Sequence, residues 1–399
     1  MGLFDKLIFS QTIPLELGWS EGQLDPVVEV LAPNLPGLRR KALWAAASIS
    51  RSLVVAQDLF GKGVHYSRSA NDYSIPERYR FQGPYWSYRP VVNGMYALHG
   101  AGLVRHDTGI CGGSIHGGGR QSAAASTKQL QDLVGAVIDT NEPRLDLRPT
   151  EAIVLRGRDG KLVDYEDTAD AVRLRGEVHR INEALARQSL RLDRMVLPPP
   201  AGRRIFNESF DRGGRFYFLG TSVQNLRSRD RVQLLWGQDA HATPVVEYDY
   251  SGLHIAIAYS ETGEEPPDGD HYTIPGYDRD HVKLAVNTMF NAKTRAKAIA
   301  SLSKELQLDP QSYGARALVE AVELAHPKLS HVFATDRGAR FQRIDSDIAM
   351  AVMLEMLSLT GRCPFPIHDS FIVPEQDAQQ LKRVMETQAS FRGIETLVK

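Results

Sequence analysis

Two short apolar segments, 245–254 and 366–373, each carry an aspartate where a buried strand has no use for one. These interruptions constrain the fold more than any other feature of the chain. The first reads Val245-Val246-Glu247-Tyr248-Asp249-Tyr250-Ser251-Gly252-Leu253-His254. Apolar and aromatic residues lead into an acid, and small residues then let a strand turn into a helix. The second, Pro366-Ile367-His368-Asp369-Ser370-Phe371-Ile372-Val373, reads as a strand–turn–strand with His368-Asp369 at its tip. An acid at the centre of a hydrophobic hairpin is costly unless something pairs with it. A divalent cation would do so, and magnesium asks for only one or two carboxylates beside water and substrate phosphates. Taken singly, each aspartate reads equally well as a turn cap. Taken together, they meet the minimum protein contribution to a site with two Mg2+ (or Mn2+) ions, Asp249 and Asp369 being the metal ligands.

The rest of the chain reads as mixed α+β. Residues 35–60 are Ala- and Leu-rich with a basic start and predict one helix. Residues 88–104 predict a helix ending at glycine. Short strands around 104–110 and 120–127 then flank Cys111-Gly-Gly-Ser-Ile-His-Gly-Gly-Gly119, a hairpin tip. Helix followed by glycine-tipped hairpin is similar to a winged helix-turn-helix; a small structural subdomain fits the same pattern. Residues 152–165 predict a hairpin turning at Asp159-Gly160. A helix over about 168–190 presents Leu174, Val178, Ile181, Leu185 and Leu190 on one face. Pro198-Pro199-Pro200 breaks the chain and marks the main boundary. The expected organisation is a helical region (1–62), a winged-helix-like module (63–150), a connecting thumb-like segment (151–199) and a core (200–399). Within that core, 277–306 predicts one helix or two, 346–359 a strongly apolar helix and 377–388 a final helix.

Charge is nearly balanced, with 47 Lys+Arg against 48 Asp+Glu. Residues 203–231 depart from that balance. Seven arginines (Arg203, Arg204, Arg212, Arg215, Arg227, Arg229, Arg231) stand there among three acids, Glu208, Asp211 and Asp230. Arginine suits phosphate, whose oxygens its planar fork binds in pairs; a solvated surface loop has the same composition. The two cysteines, Cys111 and Cys363, are too few for a disulfide framework or Cys-rich zinc site and suit a reducing, cytoplasmic setting. No stretch approaches the length needed to span a bilayer, and the N-terminus does not read as a signal peptide.

The acid-bearing segments resemble motifs of the family A DNA polymerases, to which phage-type single-subunit RNA polymerases are related. Asp249-Tyr-Ser is similar to motif A (DYSQIE), and His368-Asp369-Ser370 to motif C (HDE, or HDS in the RNA polymerases). Between them Arg279-x-x-x-Lys283 matches the RxxxK start of motif B, and Arg279, Lys283 and Asn287 recur at helical spacing on one face. Gly214-Arg215 followed by Gln224-Asn225-Leu226 resembles TGR…LQNI. Asp270-His271-Tyr272 resembles DIH/DIY, and Phe341-Gln342 with Asp345-Ser-Asp347-Ile348 resembles the VQSTAADL helix before motif C. The six elements keep the family's order over about residues 203–385.

The resemblance implies a right-hand polymerase palm with reduced fingers, since the span between motifs A and C is short. It implies catalysis by Asp249, Asp369 and Lys283. Incoming triphosphate would be bound by Arg279, Lys283, His254, Asn287 and Tyr272. Arg215, Gln224, Asn225, Gln342 and His368 would line a DNA primer-template. His254 stands where the DNA polymerases carry a glutamate that blocks a ribose 2′ hydroxyl, and Phe290 and Asn291 replace the usual end of motif B. The expected function is therefore template-directed DNA synthesis. RNA synthesis or priming by the same site is the alternative, an inactive DNA-binding replication protein a second, and an unrelated metal-dependent hydrolase a third. Asp139-Thr-Asn-Glu142 reads as a turn, so no 3′–5′ exonuclease is expected.

Overall fold

The computed structural model describes residues 12–15, 19–73, 76–79, 86–109, 121–139, 151–193, 195–197, 200–219, 222–237, 239, 241–267, 269–306 and 314–399. The chain divides into two compact units. The first comprises Met1–Val154, Lys161–Arg203 and Tyr217–Val245; the second comprises Leu155–Gly160, Arg204–Phe216 and Val246–Lys399.

The first unit begins with β1 (Thr12–Pro14) and α1 (Glu21–Leu31), whose start is fixed by a capping box. Ser20 Oγ accepts from Gln23 N at 3.1 Å while Gln23 Oε1 accepts from Ser20 N at 3.2 Å. α2 (Arg40–Phe60) ends at Gly61 in the left-handed conformation, φ +59°. The sequence predicts this helix from residue 35, but Pro36-Gly37 hold a turn and Gly37 has φ +75°, so the helix starts at Arg40. After β2 (Gly63–Tyr66), α3 (Tyr88–Gly100) packs across α2. Contact is close because Gly94 faces alanines: a Cβ there would stand 2.9 Å from Ala42 O and 3.0 Å from Ala46 N. β3 (Val104–Asp107) and β4 (Ser122–Ser126) form the expected antiparallel pair, Val104 opposite Ser126 and Asp107 opposite Ala123. The tip, residues 110–120, lies outside the described residues, as do 140–142 of the Asp139–Glu142 turn. Strand order is β1-β2-β4-β3. Helices α1, α2, α3 and α4 (Lys128–Gly135) bury Leu24, Ile49, Leu53, Val91, Met95 and Leu130 in one core.

β5 (Ile153–Arg156) runs to the turn that the sequence predicts. Gly160 makes that turn at φ +77°, Leu162 after it is a single bridge residue, and β8 (Gly202–Asn207) is the neighbour of β5 in the sheet. The segment beyond the bridge is held by side chains of the first unit. Arg78 binds Asp164 at 2.7 Å, Asp167 at 2.9 Å and Glu151 at 3.3 Å, and Tyr79 OH donates to Val163 O at 2.7 Å. α5 (Ala169–Leu185) is capped by Thr168 and buries the expected Leu174, Val178, Ile181 and Leu185 face. β6 (Leu190–Leu192), β7 (Met195–Val196), β10 (Leu234–Trp236) and the first residues of β11 (Thr243–Ser251) pair antiparallel within the same unit.

In the second unit the end of β5 borders β8, and β8 borders β9 (Ser209–Phe218). From Val246, β11 runs between β13 (Ser370–Pro374) and β14 (Leu397–Val398), with β12 (Phe365–Ile367) outside β13. α6 (Leu253–Thr262) follows β11 directly, and α10 (Gly338–Thr360) packs against it. α7 (Arg279–Asn291), α8 (Arg295–Glu305) and α9 (Ala315–Ala325) pack mutually, so 277–306 is two helices, broken at Ala292–Thr294. α11 (Ala378–Ser390) closes over α10. No helix among the described residues is long and apolar enough to cross a membrane. Cys363 is a buried free thiol whose pKa burial raises.

Candidate active site

Asp249 lies in β11 and Asp369 in the turn that leads into the neighbouring β13, and the backbone registers them: Tyr250 N lies 3.5 Å from Asp369 O. On its other side β11 is held by Lys399, whose backbone exchanges bonds of 2.9 and 3.0 Å with Asp249. Asp249 therefore stands on a strand fixed along both edges. Gly252 ends that strand in the left-handed region, φ +69°, where the neighbouring Tyr272 ring would lie 3.5 Å from a Cβ. Asp369 is the second residue of the β12–β13 turn, between Ile367 and Ser370, which pair. His368 precedes it at φ +61°, a conformation costly for any residue but glycine. The turn thus spends strain on presenting an exposed imidazole and a half-buried carboxylate side by side.

The electrostatics are those of an acid pair awaiting positive charge. Asp249 reaches solvent, yet the surrounding protein, followed by the neighbouring Asp369 and then Glu247, pushes its pKa up to about 6 against an opposing pull from Lys283. Burial, and then the charge of Asp345, raises Asp369 as well. Glu247 shares the strand face of Asp249 and accepts from Ser370 Oγ at 2.6 Å. A third carboxylate therefore approaches the site from β11, beside the serine that replaces the acid at the end of HDE. Among the described residues no three His, Cys, Asp or Glu gather into a metal cluster. Two mutually repelling carboxylates, with Glu247 close by, fit a cation that completes its shell with water and substrate oxygens.

α7 brings the basic groups. Asp278 caps it, accepting from Asp280 N at 2.9 Å and His281 N at 3.1 Å. Arg279 is bound by Asp270 at 2.5 Å, and its guanidinium lies 5.5 Å from the Tyr272 ring centroid; Lys283 Nζ lies 6.0 Å from the same ring. Tyr272 is buried beneath both cations, and burial followed by Asp369 raises its hydroxyl pKa to about 12. Asp270-His271-Tyr272 thus acts as a holder: the acid aims Arg279 and the ring supports the cationic face.

A second cluster surrounds His254, the second residue of α6. Asp345 of α10, 1% exposed, accepts from Arg215 Nε at 2.9 Å and Nη2 at 2.6 Å. His254 Nε2 lies 3.2 Å from the same oxygen and 3.2 Å from Arg215 Nη2. A carboxylate can only accept and a guanidinium can only donate, so Nε2 serves one of these two partners, not both. Burial opposes the charge on Asp345, but the His254 bond and the Arg215 charge outweigh it and hold the carboxyl below the ordinary range. Arg204 is fully buried and donates to Gly214 O, Ser346 Oγ and Asp347 Oδ1 at 2.7, 2.7 and 2.8 Å. Of the arginine-rich stretch, Arg204 and Arg215 are therefore committed to α10 carboxylates. Arg227, Arg229 and Arg231 fall in the first unit.

Gln224 and Asn225 also lie in the first unit, where Gln224 Oε1 accepts from Phe218 N at 3.0 Å and Asn225 Oδ1 from Ser222 N at 2.8 Å. Asn287 lines a shallow cavity of about 470 Å³ with Asn291, Lys293 and Lys297 of α7–α8. Phe290 stacks in the core on Phe333 and meets Phe341 edge-on, and Gln342 follows Phe341 on α10, half-buried. A larger cavity, about 820 Å³, is lined by Gly252, Asp270, Tyr272 and Gly393, beside the acid pair rather than at it. Glu247, Asp270 and Asp345 complete the site beyond the residues singled out in the sequence. Asp345 had a visible signal: it interrupts the apolar stripe Phe341, Ile348, Val352 at helical spacing.

Known proteins add little. No protein-family profile matches the chain, and no curated protein matches it. Among solved structures it is similar to the POL domain of Pol1 from M. smegmatis in complex with DNA primer-template and dNTP, at 14% identity and a TM-score of 0.32. That alignment covers 63% of this chain and 57% of the other, so the chain spans somewhat over half the length of the structure it matches.

Proposed function

We propose that the second unit is the catalytic core of a template-directed nucleotidyltransferase, a reduced polymerase palm and fingers that extends DNA. The carrying observation is the acid pair itself: Asp249 in β11 and Asp369 in the turn before the adjacent β13, both with raised pKa, near a helix that offers Lys283 and Arg279. Raised pKa values on neighbouring acids mark sites built for a cation or a proton.

Asp249 and Asp369 would hold divalent ions, which when bound activate the attacking hydroxyl and neutralise the departing phosphates. The chain's own groups do the rest. Arg279, aimed by Asp270, binds the triphosphate tail, and Lys283 binds beside it and can give its proton to the leaving pyrophosphate. His368, exposed at its strained turn, stands next to the metal ligand and suits the primer terminus. His254, braced by Arg215 and Asp345, presents a planar ring at the position of the family's sugar gate and favours deoxynucleotides on steric grounds. A metal-dependent hydrolase has no use for the Arg279–Lys283 pair, which separates that reading from this one.

The test is primer extension by the purified chain with Mg2+ or Mn2+, a primed DNA template and either dNTPs or NTPs. Extension with dNTPs that disappears in Asp369→Asn supports the proposal. Extension with NTPs alone reassigns the sugar. Binding of primer-template without incorporation from either pool, with or without primer, refutes the enzyme and leaves a binding protein.

A further inference from the structure

The first unit carries a surface that the polymerase reading does not use. α3 buries Val91, Val92, Met95 and Leu98 and exposes Arg89, Asn93, Tyr96 and Gly100, residues spaced along one face of the helix. Tyr96 is 41% exposed, a large ring facing outward. The helix is held in place from behind. Gly94 seats it on Ala42 and Ala46 of α2. At its C-terminal half, His99 and Tyr96 meet His106 of β3 edge-on, with ring centroids 5.7 and 5.8 Å apart, and Tyr66 OH bonds His106 Nε2 at 2.8 Å. The outward face is therefore rigid, and its residue types, Arg, Asn and Tyr, are those that read base edges and touch backbone.

Charge points the same way. The chain has 48 acids in 399 residues, yet residues 30–57 and 78–106, which include the start of α2 and all of α3, contain no Asp or Glu. Gly94 packs within one turn of the start of α2, so Arg39, Arg40 and Lys41 lie beside the middle of α3. All three are exposed, and among the described residues no carboxylate pairs with them or with Arg89. Arg68 lies over the Tyr96 ring at 5.3 Å and donates to its hydroxyl. A cationic rim around a polar helix face complements a polyanion whose groove admits a helix. The elements follow in the order α2, β2, α3, β3, β4, with short 3-10 turns between β2 and α3, and the sheet order is β1-β2-β4-β3.

We infer that the exposed face of α3 is a second, separate DNA site, one that enters the major groove of double-stranded DNA and selects a sequence. Arg89 and Asn93 meet base edges, while Arg39, Arg40, Lys41 and Arg68 straddle the phosphates. An A-form duplex offers no such entrance, because its major groove is too deep and narrow for a helix.

The test uses the full chain and random-sequence DNA duplexes of about 30 base pairs, some three turns of B-DNA. Both ends are closed by hairpin loops, so no primer terminus is offered to the second unit. After selection, fluorescence anisotropy compares the selected duplex, a scrambled duplex and a double-stranded RNA. The wild type is expected to prefer its selected duplex by roughly a hundredfold or more. Arg89→Ala with Asn93→Ala should abolish the preference but leave primer extension unchanged. Arg40→Ala with Lys41→Ala should weaken both DNA duplexes alike and reduce the log–log salt slope by about two. These positions are exposed, so unchanged melting separates lost binding from lost fold. If no sequence is enriched, if both pairs of substitutions leave binding as it was, or if the RNA duplex competes equally, the inference is wrong.

Discussion

Removing the Asp345 carboxylate should unfold the second unit several degrees early. Asp345 is 1% exposed and binds the side chain of Arg215, itself 22% exposed, as well as His254. Deleting one partner of a buried ion pair costs about 3–5 kcal/mol, because the other charge is left uncompensated. Arg215 retains some access to water, so the lower end, about 3 kcal/mol, applies to Asp345→Ala. For a unit of this size each kcal/mol moves the midpoint by about 2–4 °C, which gives a fall of about 6–12 °C. Asp345→Asn keeps the volume and should keep most of the loss, which would assign it to charge rather than to a cavity. The pH dependence has a definite sign. The folded pKa of Asp345 lies below its ordinary 3.8, so the stabilisation is present above that value and is lost as pH falls through the folded pKa. The gap between wild type and Asp345→Asn should be full at pH 7 and close at the acid end. Differential scanning calorimetry from pH 3 to pH 8 measures it. A gap under about 2 °C at pH 7, small against the shift that one kcal/mol causes, or a gap that widens in acid, would refute the reasoning.

Four further outcomes follow from other parts of the structure. Asp249, raised to about 6, destabilises the metal-free chain once ionised; Asp249→Asn should melt above wild type at pH 8, the difference vanishing below the ordinary carboxylate pKa of 3.8. Millimolar Mg2+ should raise the melting temperature of the wild type but not of Asp249→Asn, since only a site that binds the folded state adds stability. Lys283→Ala should slow nucleotide addition by about 10²–10⁴-fold, the usual worth of a positioned proton donor, with Lys283→Arg recovering triphosphate affinity but not rate. Gly94→Ala should cost about 1–3 kcal/mol by denaturant unfolding, because its Cβ meets backbone atoms of Ala42 and Ala46 that cannot rotate away.

The legible parts of the sequence were those with local physics. Periodic apolar and basic faces placed α5 and α7, an apolar run placed most of α10, and an apolar run broken by His368-Asp369 placed the β12–β13 turn. Long-range partners were less legible. The return from the Asp159-Gly160 turn looked like a full hairpin strand, yet it is reduced to a bridge at Leu162, and the segment beyond is tied to Arg78 and Tyr79, more than 80 residues earlier. The arginine-rich stretch looked uniformly suited to phosphate, but charge alone does not report burial, and Arg204 proved to be a fully enclosed brace for α10. Glu247 was visible as an acid in β11, but not as the partner of Ser370, because that contact depends on how β11 and β13 register.

The central claim is that Asp249 and Asp369 act as one site. The direct measurement is a double-mutant cycle on the rate of single-nucleotide addition to a primed template, with Asp249→Asn, Asp369→Asn and both together. Residues that hold the same ions fail as a unit. Each single substitution should therefore abolish nearly all activity, and the double should lose no more than either. Activity that survives one substitution, or losses that multiply, would mean that the two aspartates do not share a reaction centre.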